Sequence, residues 1–398
     1  MNWVGGAEAF HGLTWLLANE PASVPDVASL AAHAGLDQSG LESLLFDHAQ
    51  MAPGRWLSRA RIGYSAGQLV QGQRSPADIA EAAGFVNVAT FERDFLEKMH
   101  LTPAAYRALD GATAFVLRLP DDYRPEEVLA YQSRDPDGLA ERSLGNRIWK
   151  ALQTPDGPAV LELTIEPGRV DARVTAGRKP GLASMALLHG HALKVLGLVN
   201  DIDDFEKNHP SLARTRRGLR VPLIPSAFDA LCWAIVGQQI NLAFAGSLRR
   251  DLIMMAGTKI GGMIVHPSPD AVARLDPADL TSRRFSRSKA RYLIDAAQAI
   301  VNGTLPVESL ADGSAIEAER ALIAQRGIGL WTARYVQLRI GFADAAPVGD
   351  SGLATALQRL HGLAERPDAA GTARLMAPFS PWRSLASMHL WASLRDPA

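Results

Sequence analysis

The stretch Leu322 to Asp350, LIAQRGIGLWTARYVQLRIGFADAAPVGD, constrains the chain more than any other part of it. It begins as a helix, breaks at Gly327-Ile328-Gly329 and resumes at once as a second helix carrying Trp331, Thr332, Tyr335 and Leu338. Glycines at a tight turn let backbone approach a ligand closely, and a helix starting there points its unpaired N–H groups outward. Such a start can cradle a phosphate. Most turns of this kind simply join two packed helices, so the hairpin Gln325, Arg326, Gly327, Ile328, Gly329 gains meaning only from its surroundings. After Arg339-Ile340-Gly341-Phe342 the chain runs extended through Ala345-Ala346-Pro347-Val348-Gly349 to Asp350, at the head of another helix. An aspartate there is a helix N-cap, and capping by itself explains many of them.

The N-terminal 110 residues read as helix punctuated by short turns. Val24 to Ala34 is amphipathic and stops at Gly35; a second helix follows from about Gln38, with Leu41, Leu44 and Leu45 at helical spacing. The plan recurs at Ser75 to Ala83, Gly84-Phe85 and Ala89 to Met99, where Ser75 is a natural N-cap and Pro76 suits the first helical position. The two copies lie about 50 residues apart, joined by a helix near Trp56 to Leu69, and form an internal repeat of helix-turn-helix units. Their most specific parts are Ile79-Ala80-Glu81-Ala82-Ala83-Gly84-Phe85, Phe91-Glu92-Arg93-Asp94-Phe95 and Leu101-Thr102-Pro103-Ala104-Ala105-Tyr106-Arg107. On these motifs, roughly Ala22 to Leu109 resembles the AraC/XylS-type DNA-binding domain. That resemblance implies that the second helix of each unit, about 38–50 and 88–99, enters a major groove, with Ala89, Thr90 and Arg93 on the later one.

Charge bears on this reading. Residues 1–110 hold 7 Lys/Arg against 12 Asp/Glu, a net of −5, while residues 111–398 hold 34 against 30, a net of +4. The first recognition helix has no basic residue and contains Glu42 and Asp47, so it is poorly equipped to neutralise phosphates.

Past the short linker Asp110 to Thr113 a β-rich stretch follows. Ala114 to Leu119 reads as one strand, and Ala159 to Ile165 with Val170 to Val174 reads as a hairpin around Pro167-Gly168. A helix near Gly181 to Leu198 closes the unit. From about Asp201 the chain reads as helical. Phe228, Leu231, Cys232, Ile235 and Val236 mark a buried helix face, which makes Cys232 a core residue. Two basic segments, Arg214 to Arg220 and Arg283 to Arg291, are candidates for phosphate contact.

Hairpin, aromatic-bearing helix, Pro/Gly-rich approach and capping Asp350 together resemble the helix-hairpin-helix DNA glycosylases, in particular the AlkA-type (3-methyladenine) alkylpurine class, over about 110–398. The expected fold is mainly α with a small β-rich domain (α+β). It comprises a tandem helix-turn-helix domain at 1–110, an AlkA-like N-terminal sheet domain at 111–200 with a mainly structural role, and a helix-hairpin-helix glycosylase domain at 201–398. The resemblance implies monofunctional excision of alkylated purines from double-stranded DNA by base flipping. Asp350 would be the catalytic carboxylate, Trp331, Tyr335 and Trp391 the base pocket, and Gln325 to Gly329 the backbone grip. Gln239 stands where this class has an apolar wedge, and related alkyladenine glycosylases use Q-Q-I there. Bifunctional relatives carry a lysine nucleophile where this chain has Trp331, so lyase chemistry through a Schiff base is not expected. No cofactor is implied beyond a monovalent cation held by hairpin backbone carbonyls, and no metal held by side chains.

The alternative reading is an AraC-type transcriptional regulator whose glycosylase-like half is non-catalytic and whose partner is operator DNA. A blander one is a DNA-binding module in which Asp350 is only a cap. Adaptive-response fusions often begin with a four-cysteine zinc domain; with Cys232 as its single cysteine, this chain cannot form one. Met1 to Gly6 has neither the basic start nor the apolar run of a signal peptide, and no apolar stretch is long enough to span a membrane. A cytoplasmic monomer is expected.

Overall fold

The computed structural model describes residues 5–72, 74–135 and 137–396; Met1 to Val4, on which part of the signal-peptide reading falls, lie outside them. Seven helices come first: α1 Gly6–Asn19, α2 Val27–Ala34, α3 Gln38–Ala49, α4 Pro53–Gln71, α5 Pro76–Ala82, α6 Val88–Met99 and α7 Pro103–Arg107. Caps set their starts: Asp26 accepts from Ser29 N, Asp37 from Gly40 N and Asn87 from Thr90 N, while Ser75 and Asp78 form a reciprocal capping box. The repeat read from sequence is thus α2–α3 and α5–α6, with α4 between.

The middle of the chain holds β1 Ala114–Arg118, α8 Glu126–Gln132, β2 Glu141–Leu144, β3 Arg147–Thr154, β4 Gly157–Glu166, β5 Arg169–Gly177 and α9 Leu182–Leu196. The five strands form one antiparallel sheet in the order β1-β5-β4-β3-β2. Gly168 takes the positive φ (74°) that the β4–β5 turn needs. The C-terminal part comprises α10 Asp203–Asn208, α11 Pro210–Ala213, α12 Ala227–Gly237, α13 Leu242–Ala256, β6 Thr258–Ile260, β7 Met263–Val265, α14 Pro269–Ala273, α15 Pro277–Ser282, α16 Arg287–Val301, α17 Ala315–Ile323, α18 Leu330–Ile340, α19 Ser351–His361, α20 Ala369–Met376 and α21 Arg383–Ser393. The wholly helical reading of this part misses the β6–β7 hairpin. Its turn, Gly261-Gly262, takes positive φ at both residues, and a Cβ on Gly261 would lie 2.4 Å from that of Ala176. Among the described residues no helix is long and apolar enough to cross a membrane.

The cores do not follow the boundaries read from sequence. Leu13, Leu30, Leu41 and Leu45 make a small core under the first helix-turn-helix unit. The second unit has none of its own: Phe91, Phe95 and Tyr106 pack in one cluster with Ile148, Leu161, Leu163, Met185 and Leu188 of the sheet unit. Hydrogen bonds fasten the same seam, from Arg118 N to His100 O (2.9 Å) and between His189 Nε2 and Met99 O (2.8 Å). The third core surrounds α12, whose residues Ala227 to Val236 are all buried, including the free Cys232, and includes Leu293, Val336, Leu338, Leu353 and Leu390.

Candidate active site

Asp350 reaches its place because α18 stops at Gly341, whose φ of 120° a side chain would disfavour, and the chain then runs past Gly349 (φ 92°) to the start of α19. As the sequence suggests, Asp350 caps α19: Oδ1 accepts from Leu353 N at 2.8 Å. Capping is only part of its environment. The Trp391 indole donates to the same oxygen at 3.0 Å, and the Trp331 indole approaches Oδ2 at 3.4 Å. The half-buried carboxylate thus stands between two tryptophans, with Oδ1 doubly engaged and Oδ2 holding one long contact.

Helical spacing puts Trp331 and Tyr335 on one face of α18, where their rings stack at 5.6 Å and 26°. Tyr335 also meets Trp391 of α21 at 6.2 Å and 50°. Behind the three rings lies a layer that sequence reasoning misses. The Trp233 indole donates to the Tyr335 hydroxyl (3.0 Å), as does Arg339 Nε (3.3 Å). The Arg339 guanidinium is buried, donates to Pro222 O and lies 4.2 Å from the Tyr131 ring centre, 5.4 Å from Tyr335 and 5.6 Å from Trp391. Arg134 also lies 4.2 Å from Tyr131 and 5.1 Å from Trp233. These are cation–π distances. Burial pushes the Tyr131 hydroxyl up to about 12, with Arg134 and Arg339 pulling the other way, and the hydroxyl has no hydrogen-bond partner among the described residues.

Tyr131 and Arg134 come from the sheet unit, which thus supplies part of the wall behind the three rings. Arg339 was legible, since it continues the Trp331–Tyr335 face at the same interval. Trp233 is hidden in a helix that is apolar on every side but for Asp229, and Tyr131 carries no local signal.

The glycine hairpin forms as read. Gly327 has φ 80°, and a Cβ there would come within 2.4 Å of the Tyr292 ring, so glycine is required twice over. Ile328 is buried, Ile328 N donates to Gln325 O, and Arg334 pairs with Glu319 across the two helices. The helix α18 opens at Gly329 with no side-chain cap. Arg326 is exposed, as are Arg287 and Arg291 on α16, the helix that packs against the hairpin through Tyr292. The loop after α12 is tied to the hairpin: Gln238 Nε2 donates to Gly327 O (3.0 Å) and Thr332 Oγ1 (3.1 Å). The next residue, Gln239, is exposed with φ 57°.

The other basic segment is committed elsewhere. Arg220 is buried beside Asp122, and Arg216 and Arg217 pair with Asp396 and Glu206, so three of its four arginines serve internal contacts. Ala89, Thr90 and Arg93 share α6, away from the aromatic cluster; Arg93 is exposed and held by Asp94 at 2.8 Å. Among the described residues no group of three or more His, Cys, Asp or Glu side chains could hold a metal.

A buried charge cluster fixes the site layer to the sheet. Glu141 of β2 takes Lys150 (2.8 Å), Arg134 (2.9 Å) and Arg249 of α13 (3.1 Å), and Arg249 also takes Asp229 of α12 (2.9 Å). Burial alone would raise both acids, but the guanidinium of Arg249, helped at Glu141 by Lys150 and Arg134 and at Asp229 by His266, holds them below the usual carboxylate range.

Comparison with known proteins agrees with this geometry. Residues 232–381 match the HhH-GPD superfamily base excision DNA repair protein family, and residues 30–109 match a helix-turn-helix domain family. A DNA-3-methyladenine glycosylase of Bacillus subtilis is 38% identical over 208 residues, covering 50% of this chain and 69% of that protein. The Mycobacterium tuberculosis "Probable bifunctional transcriptional activator/DNA repair enzyme AlkA" is 27% identical over 410 residues, covering 96% of this chain and 79% of its own. The solved 3-methyladenine DNA-glycosylase from Archaeoglobus fulgidus shares the fold at a TM-score of 0.62 and 18% identity, over 71% of this chain and 98% of that one. With Asp350, the aromatic cluster and the glycine hairpin in one place, the chain belongs to the DNA-3-methyladenine glycosylases of the HhH-GPD base excision repair superfamily, and carries an AraC-type helix-turn-helix domain ahead of its glycosylase half.

Proposed function

We propose that this protein is a monofunctional DNA N-glycosylase that excises alkylated purines of the 3-methyladenine class from double-stranded DNA, opening base excision repair. One observation carries the reading: the Asp350 carboxylate is pinned between the Trp331 and Trp391 indoles at the mouth of an aromatic cluster. To be cut, the target base must leave the stack, and Trp331, Tyr335 and Trp391 offer π-faces to receive it. N-alkylation puts positive charge on the base, which such faces attract and which makes it a ready leaving group. As the C1′–N bond breaks the sugar gains oxocarbenium character, and the free side of Asp350 Oδ2 stabilises that charge. Water then adds to C1′ and gives up its proton, leaving an abasic site and the free base. The chain has Trp331 where a Schiff-base lysine would stand, so the reaction ends there.

Gln239, exposed on a loop tethered to the hairpin, fills the gap left in the duplex. The uncapped first turn of α18, with Gln325 to Gly329 and exposed Arg326, grips the backbone phosphates. A monovalent cation at the hairpin would have to use second lone pairs, because Gln325 O and Gly327 O each already accept a hydrogen bond. The reading is completed by a cytoplasmic monomer acting on DNA.

The test is release of 3-methyladenine from methylated DNA by wild type and Asp350→Asn. Wild type should free the base; the variant should be slower by about 10²–10³-fold while still binding DNA. An inactive wild type refutes the reading.

A second reading concerns α6, which is solvent-facing with a neutral Asn87 cap and so suits operator DNA through Ala89, Thr90 and Arg93. A shift assay on the protein's own promoter at moderate salt tests it, and absence of sequence-specific binding refutes it.

A further inference from the structure

We propose that Gln50 is a positioning residue for excision, and that the first helix-turn-helix unit braces the loop that carries Asp350. This rests on the glycosylase reading above. Gln50 ends α3, the helix that the DNA-binding resemblance assigns to a major groove. Its backbone is left-handed, φ 54° and ψ 40°, a position where glycine would close the helix without strain. Such strain in a non-glycine residue persists where the surroundings hold it. Here they do. Gln50 Oε1 accepts from Asp344 N at 2.8 Å, across 294 residues of sequence.

Asp344 is a buried node between the two elements that deliver the site. Its carboxylate takes Arg383 through Nε (2.7 Å) and Nη2 (2.6 Å) and the Ser380 hydroxyl (2.8 Å). Arg383 is the first residue of α21, which carries Trp391, and Ser384 N donates to Ala343 O (3.0 Å) beside it. In the other direction the chain runs directly from Asp344 to Asp350. The brace is therefore applied where the catalytic loop is stapled to the helix bearing a pocket tryptophan.

The rest of the unit is docked to the same side. His48 is buried against Phe10 (ring centres 4.9 Å apart) and its Nδ1 meets Oγ of Ser314, the N-cap of α17, at 2.8 Å. His11 meets Glu317 of α17 at 2.9 Å, and Arg55 pairs with Asp204 at 2.9 Å. The helix with no basic residue thus contacts both the lead-in helix of the hairpin and the loop before Asp350. Its lack of lysine and arginine fits that duty.

The experiment uses the full chain with Gln50→Gly and Gln50→Glu. Glycine keeps the left-handed cap but removes the acceptor; glutamate keeps an acceptor of the same length. Three quantities are read: single-turnover release of 3-methyladenine, Kd for DNA containing an abasic-site analogue, and amide hydrogen exchange over residues 343–350. Gln50→Gly should slow release by about five- to tenfold, the worth of one hydrogen bond, with Kd within about twofold. Its exchange at Asp344 and the following amides should rise, its Tm should hold, and Gln50→Glu should recover most of the rate. Release at the wild-type rate, or a parallel fall in rate, affinity and Tm, would overturn the proposal. Hydrogen exchange separates the two ideas: a wild type that frees no base refutes the glycosylase reading, whereas unchanged exchange in Gln50→Gly refutes the brace.

Discussion

The pairs α2–α3 and α17–α18 share a plan and differ in chemistry. Each joins two helices through a glycine of positive φ, Gly35 at 70° and Gly327 at 80°. In the first pair, Asp37 fills the start of the second helix by accepting from Gly40 N at 2.7 Å, so a carboxylate already occupies the place an incoming phosphate would take. In the second pair, α18 starts at Gly329 with no side-chain cap and with Arg326 beside it. The same backbone device is closed to anions in one place and open in the other. A helix-hairpin-helix plan therefore says little about nucleic acid until the cap of its second helix is read.

This contrast can be broken in order of severity. Gly327→Ala forces a Cβ into the Tyr292 ring at a φ that alanine disfavours, and should weaken binding to lesion DNA by about a hundredfold, read by fluorescence anisotropy. Gly329→Asp is sterically free, since nothing lies within 4 Å of the new Cβ, and it gives α18 the cap that α3 has. It should cost about tenfold in affinity for damaged and undamaged DNA alike, with little change in Tm. If affinity holds, the open helix start is not the phosphate site. Arg326→Ala should weaken binding by about threefold and reduce the salt dependence of log Kd by about one phosphate contact. Asp37→Ala should move lesion-DNA affinity by less than about twofold while costing about 1 kcal/mol of stability, measured by thermal unfolding. A large affinity loss in that last variant would mean that α3 meets DNA after all.

Legibility in the sequence followed locality. The α17–α18 hairpin, the Asp350 cap and the Trp331–Tyr335 face were readable because each is set by residues within a turn or two. The β6–β7 hairpin leaves only a weak trace in the sequence: Gly261-Gly262 marks a turn, but β6, Thr258-Lys259-Ile260, has a single strongly apolar residue and each strand is only three residues long. Tyr131, Trp233 and Arg134 were not readable, because a ring and a guanidinium become a pocket wall only once α8, α12 and α18 are packed together. Arg220 shows the opposite error: in sequence it belongs to a basic run, and in the fold it is buried against Asp122.

The charge cluster around Glu141 bears on where this chain can be cut. The sheet unit brings Glu141, Lys150 and Arg134; the helical part brings Arg249 and Asp229. Severing the chain near residue 200 would part Glu141 from Arg249, and would strip Tyr131 from the wall behind Tyr335. Each fragment would then expose charges whose partners had gone, in surfaces otherwise apolar. The sheet and the helical part must therefore stay together, and because the second helix-turn-helix unit shares its core with the sheet, shortened versions for crystallisation or engineering should keep that unit as well and confine trimming to the first one, at the cost of the Gln50–Asp344 contact.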